Sequence, residues 1–419
     1  MRQRGLALTA LRITTTFGAL RHPAYRIFWA GSCTSFIGTW IQNVAIGLYI
    51  YDHTGSKQAL GAVGLASGIP TTALLLFGGV LADRVDKRRL LFLTQSLYAL
   101  NALALAGLAA FGRAETLHVV IVSFVNGLIF AIDGPTRQAF VYDLVGPEDL
   151  ATGVALQSAS FNAARIIGPA LGSVVYVTLG AEWCFLTNAA SFGAVLIALA
   201  LVRTPQHTSP GRSDGISALG GVRASLGYLR TSQSTRTILL LTGAASVFGM
   251  SVYQTLMPAI ALDSLGISES DTRYGLLFSA IGVGSLIGAY IVGRNADAGR
   301  RGLAVFGGAA AFAVALLALS QIHVYTLALL VLTAVGMAAV TQLATANTLT
   351  QVLAPDGMRA RAVSLHMFAM GGLQPFGALM AGTIGQRYGV SMALMVGASA
   401  LLMVTVFLAV RRPDVVRLA

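Results

Sequence analysis

The sequence predicts an all-α membrane protein of twelve transmembrane helices, arranged as two related halves of six. Three observations support this fold class: 55% of the 419 residues are hydrophobic and 11% charged, the charges are bunched between long apolar runs, and the second half repeats features of the first. A bilayer core of about 30 Å needs about 20 apolar residues in a helix. Because lipid offers the backbone no hydrogen-bond partner, such runs without alternating polarity indicate helices.

Twelve segments are long enough to cross a bilayer once each. Nine of them are free of charge, at residues 27–51, 58–82, 90–112, 116–132, 183–202, 237–262, 274–293, 362–386 and 388–410. The uncharged run 302–355 has 54 residues, enough for two spans, with a polar break at 321–323. Residues 151–181 form one more span that is interrupted only by Arg165. These segments are called spans 1 to 12 in chain order.

Basic residues are divided unevenly between the two sides of the predicted membrane. With both termini on one side, 23 of the 28 lysines and arginines lie on that side and 4 in the opposite loops. The positive-inside rule therefore predicts cytoplasmic termini for a multi-pass protein of the cell inner membrane. A nucleic-acid surface would gather these residues on a soluble domain, and the sequence offers none. We expect the lipid bilayer, and not nucleic acid, to surround this chain.

An internal repeat relates the two halves. A shift of 214 residues places Gly61 on Gly275, Gly68 on Gly282, Gly79 on Gly293 and Asp83 on Asp297. We expect residues 1–202 to form the N-terminal six-helix half and 237–419 the C-terminal half. Residues 203–236 are expected to form a cytoplasmic linker, whose second part is either a helix on the membrane surface or an ordinary solvated helix. Repeated halves of this kind are typical of transporters that bind substrate between them.

The turn after span 2 carries a charged motif, Gly79-Val80-Leu81-Ala82-Asp83-Arg84-Val85-Asp86-Lys87-Arg88-Arg89. It resembles the loop 2/3 signature of the major facilitator superfamily, and a weaker copy around Asp297 follows span 8. The resemblance implies an inner gate formed by Gly79, Asp83, Arg84, Lys87, Arg88, Asp133 and Asp297. There Asp83 would meet the positive end of a helix of the other half, while Arg84 would pair with Asp133 of span 4. The alternative is a charge cluster that only fixes topology.

Span 5 contains Gly168-Pro169-Ala170-Leu171-Gly172, which resembles the Gly-Pro-x-x-Gly motif of drug/proton antiporters in that superfamily. The stretch from Asp133 to Pro169 resembles the bacterial exporter branch of the enterobactin exporter and macrolide efflux proteins. This implies proton-coupled efflux of a medium-sized amphipathic compound, drug or siderophore-like, and hence drug resistance. The arginine that such antiporters commonly carry in span 4 is missing, and the candidate proton carriers are Asp52, Asp133 and Asp143.

Arg165 is the only formal charge near the mid-depth of any predicted span. A charge there costs about 2.5 to 3.5 kcal/mol, so we expect it to face a wet cavity and accept an anion. The alternative is an arginine held by carbonyl groups of its own half. Pro169 leaves the carbonyl of Arg165 without its helical donor, which predicts a bend.

The glycines that flank Pro169 also predict a close helix contact. Gly168 and Gly172 are four residues apart, the spacing that lets two helices approach closely. The same spacing occurs in span 8 at Gly284 and Gly288. We therefore predict that span 5 packs against span 8 through these four glycines.

Other polar or aromatic residues near mid-depth are candidates for a substrate cavity. They are Gln42, Asn43, Asn126, Tyr253, Gln254, Gln342 and Asn347, and Trp40 would suit an aromatic substrate. Each polar residue taken singly could instead form a hydrogen bond between helices. Because no metal-ligand spacing, phosphate-binding loop or catalytic nucleophile motif is found, we expect no cofactor, no metal and no enzyme activity.

The resulting hypothesis is a secondary active exporter that works by alternating access as a monomer. Its partners would be a small-molecule substrate and protons. Two alternatives stay open at this stage: an uptake symporter for a small solute on the same fold, and a transport-inactive membrane sensor.

Overall fold

The computed structural model describes residues 17–202, 227, 229, 231–268, 271–295, 299–355 and 358–418, with the backbone alone for 75–84 and 360. These residues contain helices and turns and no strand. The all-α class is therefore confirmed for the described part of the chain. Most of the predicted linker 203–236 lies outside these ranges, so the domain division stays a prediction.

Each predicted span corresponds to a described helical segment. The helices are Pro23–Thr54, Lys57–Arg84, Lys87–Ala110, Thr116–Leu179, Ala181–Leu201, Gln233–Ser264, Tyr274–Arg294, Arg301–Leu319, Tyr325–Val352, the pair Arg359–Met367 and Gln374–Tyr388, and Val390–Arg411. Eight described helices are long and apolar enough to cross a membrane, and Thr116–Leu179 has 64 residues, enough to cross twice. Spans 1, 2 and 11 are not among those eight helices, so the total of twelve transmembrane helices stays a prediction.

The longest helix joins spans 4 and 5 and is broken at Gly146. Gly146 has φ 72° and ψ −179°, a backbone conformation that glycine adopts readily and other residues rarely adopt, and Pro147 follows it. Span 4 continues well past Ile132, where the uncharged run ends, because Asp133 and Arg137 form an ion pair of 3.1 Å and remain inside the helix. Pairing therefore extends the helix beyond the limit that charge counting predicts.

Spans 7 and 11 are irregular helices. Span 7 contains π-helical turns at Ala245–Met250 and Ile260–Ser264, and span 11 contains one at Phe368–Gly372. Such turns widen a helix locally and are frequent at functional sites. Both spans contact the N-terminal half, so the irregular turns lie in helices that help to form the interface between the halves.

The two halves meet along two helix pairs, span 2 with span 11 and span 5 with span 8. In the first pair, Gly61 packs against Gly382, and the Thr72 hydroxyl donates to the carbonyl of Gly372 over 3.1 Å. In the second pair, Ser279 donates to the carbonyl of Ile166 over 2.6 Å. These contacts begin at the side of the molecule opposite the chain ends and reach about mid-depth, so the halves are closed on that side.

The predicted contact between spans 5 and 8 exists, but the glycines assigned to it were wrong. Gly168 and Gly172 pack on Trp40 and Ile41 of span 1, inside their own half. Gly284 and Gly288 pack on Thr333 and Met337 of span 10. The glycines of span 8 that meet span 5 are Gly275, against Pro169 and Ala170, and Gly282, against Ile166. Glycine spacing indicates close approach but does not identify the partner helix.

Candidate substrate cavity

A cavity of about 210 Å³ lies between the two halves near mid-depth. Spans 1 and 5 of the N-terminal half and spans 7 and 8 of the C-terminal half surround it. Its lining consists of Trp40, Asn43, Val44, Arg165, Tyr253, Gln254, Phe278 and Ile281. Because both halves contribute, the shape of this cavity depends on how the halves are placed relative to each other.

Arg165 provides the positive charge of the cavity. Its guanidinium carbon lies 6.0 Å from the centroid of the Trp40 ring, a cation–π contact. Among the described residues, no carboxylate pairs with this guanidinium and no carbonyl accepts a hydrogen bond from it. The geometry thus favours a cavity-facing arginine over one locked to carbonyls of its own half. A guanidinium in this setting can bind a carboxylate, phosphate or phenolate group.

The C-terminal half supplies aromatic surface and an amide opposite Arg165. Tyr253 is 1% exposed, and its ring meets Phe312 edge-on with centroids 6.2 Å apart. The Gln254 amide nitrogen donates to the Tyr253 hydroxyl over 3.3 Å. Phe278 packs edge-on against Tyr274 with ring centroids 5.6 Å apart. A cation, fixed aromatic faces and a few polar atoms are the elements of a site for an amphipathic ligand.

Four predicted cavity residues line this space together: Asn43, Arg165, Tyr253 and Gln254. Trp40, the aromatic candidate, is also part of the lining. Sequence reasoning missed Val44, Phe278 and Ile281, because an apolar residue in an apolar span has the same pattern whether it faces lipid, core or cavity. The one indication was the predicted contact between spans 5 and 8, which places span 8 beside Arg165.

The remaining candidates lie elsewhere. Gln42 accepts a hydrogen bond of 2.8 Å from Asn188 in the packed interior of the N-terminal half. Asn126 accepts one of 2.8 Å from Asn101. These two residues follow the structural alternative, in which buried amides join neighbouring helices.

Two candidates of span 10 are also absent from the cavity lining. Asn347 accepts a hydrogen bond of 3.2 Å from Gln351 one helical turn away. Gln342 is fully buried against Gly308, and neither atom of its amide has a hydrogen-bond partner among the described residues. Gln342 is therefore a buried amide of the C-terminal half.

The predicted inner-gate motif is described only in part. The side chains of Asp83 and Arg84 and the whole of Asp297 lie outside the described residues, and Gly79 is described by its backbone alone. The pairing of Arg84 with Asp133 therefore stays a prediction. The described members bind within the N-terminal half. Lys87 pairs with Asp143 over 2.9 Å. Arg88 donates to the carbonyls of Leu199 over 2.7 Å and Ala200 over 3.0 Å, at the end of span 6.

Asp133 lies in a buried polar network. It accepts hydrogen bonds of 2.7 Å from Thr94 and from Gln95, both on span 3, besides its ion pair with Arg137. Arg137 also donates to Ser32 of span 1 over 3.0 Å. This network joins spans 1, 3 and 4 and stabilises the N-terminal half.

Comparison with known proteins gives consistent results. Residues 14–416 match a family described as transmembrane secretion effector. The enterobactin exporter EntS of Salmonella typhi is 27% identical over 283 residues, which is 67% of this chain and 66% of that protein. The EntS protein of Citrobacter koseri is 26% identical over 341 residues, 81% of this chain and 80% of that protein.

Solved structures share the fold. The nucleoside transporter NupG superposes with a TM-score of 0.76 at 12% identity, covering 93% of this chain and 98% of that one. A D-xylose-proton symporter superposes with a TM-score of 0.69 at 14% identity, covering 96% and 97%. At such identities the likeness establishes the architecture alone.

Proposed function

Because the chain belongs to the transmembrane secretion effector family of the major facilitator superfamily, we propose that it exports a medium-sized amphipathic compound by proton-coupled alternating access. The observation that carries the proposal is the cavity between the halves, with a cation at mid-depth that no described residue neutralises. The relatives named above are enterobactin exporters, which favours export over uptake.

Transport by this chain would follow from a rocking of the two halves about the cavity. The halves are closed on the side opposite the chain ends. Substrate would therefore enter from the side of the termini, which is the cytoplasm in the orientation that the basic residues favour. Closing that side and opening the other would release the substrate outside the cell. The protein would act as a monomer, because one chain supplies all the lining residues.

The charge of Arg165 selects the kind of substrate. A guanidinium held at membrane depth without a partner is costly, so binding of an anion there is favourable. The indole of Trp40 and the rings of Tyr253 and Phe278 would contact the apolar part of the same molecule. We infer a substrate that joins a negative charge to a planar or apolar body.

A proton gradient is the proposed energy source. The D-xylose-proton symporter with the same fold is named for that ion. Candidate carriers are Asp52, Asp133 and Asp143, of which Asp143 is bound to Lys87 and Asp133 to Arg137. A proton that binds either of these two carboxylates would neutralise one member of an ion pair and so weaken that pair.

Everted membrane vesicles test the proposal. They are prepared from cells that lack their own efflux pumps and offered a compound panel with siderophores, macrolides and matched anionic and neutral aromatic esters. Accumulation that collapses with the proton gradient supports export. Loss of preloaded compound from the vesicles would instead indicate an uptake symporter, and no movement of any compound would indicate a protein that does not transport. Arg165→Gln should reduce accumulation of the anionic member selectively, whereas an equal loss for both members would exclude the anion role.

A further inference from the structure

One carboxylate of the C-terminal half is bound by two residues of the N-terminal half, at the side opposite the chain ends. Asp263 lies in the last turn of span 7, and both of its carboxylate oxygens lie 2.7 Å from the Tyr51 hydroxyl, which donates its single hydrogen to this carboxylate. The Lys57 ammonium lies 2.8 Å from Asp263 Oδ2 and 5.4 Å from the centre of the Tyr51 ring. These three side chains therefore form a single cluster across the interface.

A second contact joins Lys57 to span 11. Lys57 is the first residue of span 2, and its backbone amide donates to the Gln386 side-chain oxygen over 2.8 Å. The first amides of a helix have no partner within the helix, so this bond satisfies a group that would otherwise need water. Directly beneath it, Gly61 packs against Gly382. Two helices of the C-terminal half are thus bound to one turn of the other half.

We propose that Tyr51, Lys57 and Asp263 form a latch that keeps the halves closed on this side and so sets the fraction of molecules open toward the chain ends. The latch residues touch neither the cavity nor the motifs singled out from the sequence. Its effect on conformation is independent of the substrate, and only its effect on export rests on the proposed function.

The strength of the latch follows from its geometry. Hydrogen bonds between charged groups are short and about twice as strong as neutral ones. The Lys57 side chain is only 15% exposed, so water screens its contact less than that of a surface pair, while Asp263 is 40% exposed. When the halves separate on this side, Asp263 parts from both Tyr51 and Lys57, and all three side chains become hydrated. Such a contact favours one of two arrangements, because it exists in only one of them.

A matched control lies on the same side of the molecule. Asp271 pairs with Arg273, two residues away, over 2.5 Å. Both groups belong to the connection between spans 7 and 8, so their contact does not change when the halves move. The substitution Asp271→Asn removes the same kind of charge as Asp263→Asn without affecting the interface.

The solvent accessibility of a position buried between spans 2 and 11 reports whether the latch is closed. Ala378 of span 11 is 5% exposed and packs beneath the latch against Gly61 and Gly64. The reporter is Ala378→Cys in full-length protein whose Cys33 and Cys184 are replaced by serine. The protein is placed in lipid nanodiscs without substrate or proton gradient, and the rate of reaction with a membrane-impermeant maleimide is recorded.

Asp263→Asn and Lys57→Met should each raise the labelling rate about tenfold, the effect of losing one charge-assisted hydrogen-bonded pair. Asp271→Asn should leave the rate within about twofold. The double variant Asp263→Lys with Lys57→Asp should return the rate toward that of the parent, whereas each single reversal raises it. Tyr51→Phe, which removes a single hydroxyl, gives a milder variant that keeps the ion pair and should raise the rate less.

Equal labelling rates for Asp263→Asn and Asp271→Asn would overturn the latch. So would a double variant, Asp263→Lys with Lys57→Asp, that is labelled as fast as either single charge reversal. The vesicle experiment can fail while the labelling result stands, because no substrate is present in the nanodiscs. Conversely, export without any effect of these variants on labelling would leave the proposed function intact and remove the latch.

Discussion

Two lysine–aspartate pairs of nearly the same geometry lie on opposite sides of this molecule. Lys87 pairs with Asp143 over 2.9 Å, and Lys57 pairs with Asp263 over 2.8 Å; the lysine side chains are 14% and 15% exposed. The first pair joins spans 3 and 4 of one half. The second joins span 2 to span 7 of the other half. Chemistry, distance and lysine burial are alike, although Asp263 is 40% exposed and Asp143 is 15% exposed. The difference that bears on transport is whether the joined helices move apart.

A contact within one half exists in both conformations of an alternating-access protein. It therefore stabilises the fold without changing the ratio of the two conformations. A contact between the halves exists in only one conformation and changes that ratio. Substitutions at contacts within one half should therefore lower the stability of the fold, whereas substitutions at contacts between the halves should shift the ratio of the two conformations.

The largest effect is expected at two glycines of span 8. A side chain at Gly275 would meet the Pro169 carbonyl of the other half, whereas one at Gly284 would meet Thr333 of its own half. Gly275→Val should reduce export at least about hundredfold because the halves cannot close, while the thermal midpoint changes little. Gly284→Val overpacks one half, at a cost of about 1–3 kcal/mol, and should lower the midpoint by about 5 °C.

Both glycine variants are measured for vesicle export and for thermal unfolding in detergent. Accessibility of the Ala378→Cys reporter adds a third measurement, which Gly275→Val should raise and Gly284→Val should not. A fall of the midpoint that is as large for Gly275→Val as for Gly284→Val would contradict the distinction between contacts within and between halves.

The next effect concerns Arg165, which belongs to one half but faces a cavity formed by both. Arg165→Gln should weaken binding of an anionic aromatic ligand about 10- to 100-fold, because a hydrogen bond to a charged group contributes about 1.5–3 kcal/mol. A neutral ester of the same ligand should lose less than about threefold. Fluorescence quenching of Trp40, in purified protein whose Trp29 and Trp183 are replaced by phenylalanine, provides the measurement. Arg165→Lys serves as the variant that keeps the charge but loses the planar donor group.

A smaller effect is expected at the pair inside the N-terminal half. Lys87→Met leaves Asp143 without this partner in a partly buried place, and should lower the free energy of unfolding by about 1–3 kcal/mol. The labelling rate of the Ala378→Cys reporter should stay within about twofold of the parent, because both residues move together. A labelling rate as high as that of Lys57→Met would mean that this pair also controls the conformation.

The membrane class and most of the cavity could be predicted from the sequence. Arg165 could be identified because a lone charge in an apolar span is costly, and Asn43 and Gln254 because polar atoms at mid-depth are uncommon. Tyr253 could be identified because its ring suits a partly aromatic substrate. Asp263 could not be found in this way. It lies at the end of a span, where charged residues are ordinary and their partners depend on the packing of distant helices.

The same limit explains the helix contacts. The close approach of span 5 to span 8 was predicted, but Gly275 and Gly282 make it instead of Gly284. A sequence records which positions lack a side chain. It does not record the rotation of a helix about its own axis, which decides whether a small residue faces its own half, the other half or lipid.

The smallest effect is expected at Asp271, in the connection between spans 7 and 8. A hydrogen bond from the Arg273 side chain lowers the pKa of Asp271 below its ordinary value. A carboxylate with a lowered pKa contributes stability above the pKa of the unfolded chain, about 4, and loses it as the pH falls further. The difference in thermal midpoint between the parent and Asp271→Asn should therefore shrink between about pH 5 and pH 3. Asp271 and Arg273 lie within one connection of the C-terminal half, so the ratio of the labelling rates of these two proteins should stay constant over that pH range. A ratio that changes with pH would instead place Asp271 among the groups that hold the halves together.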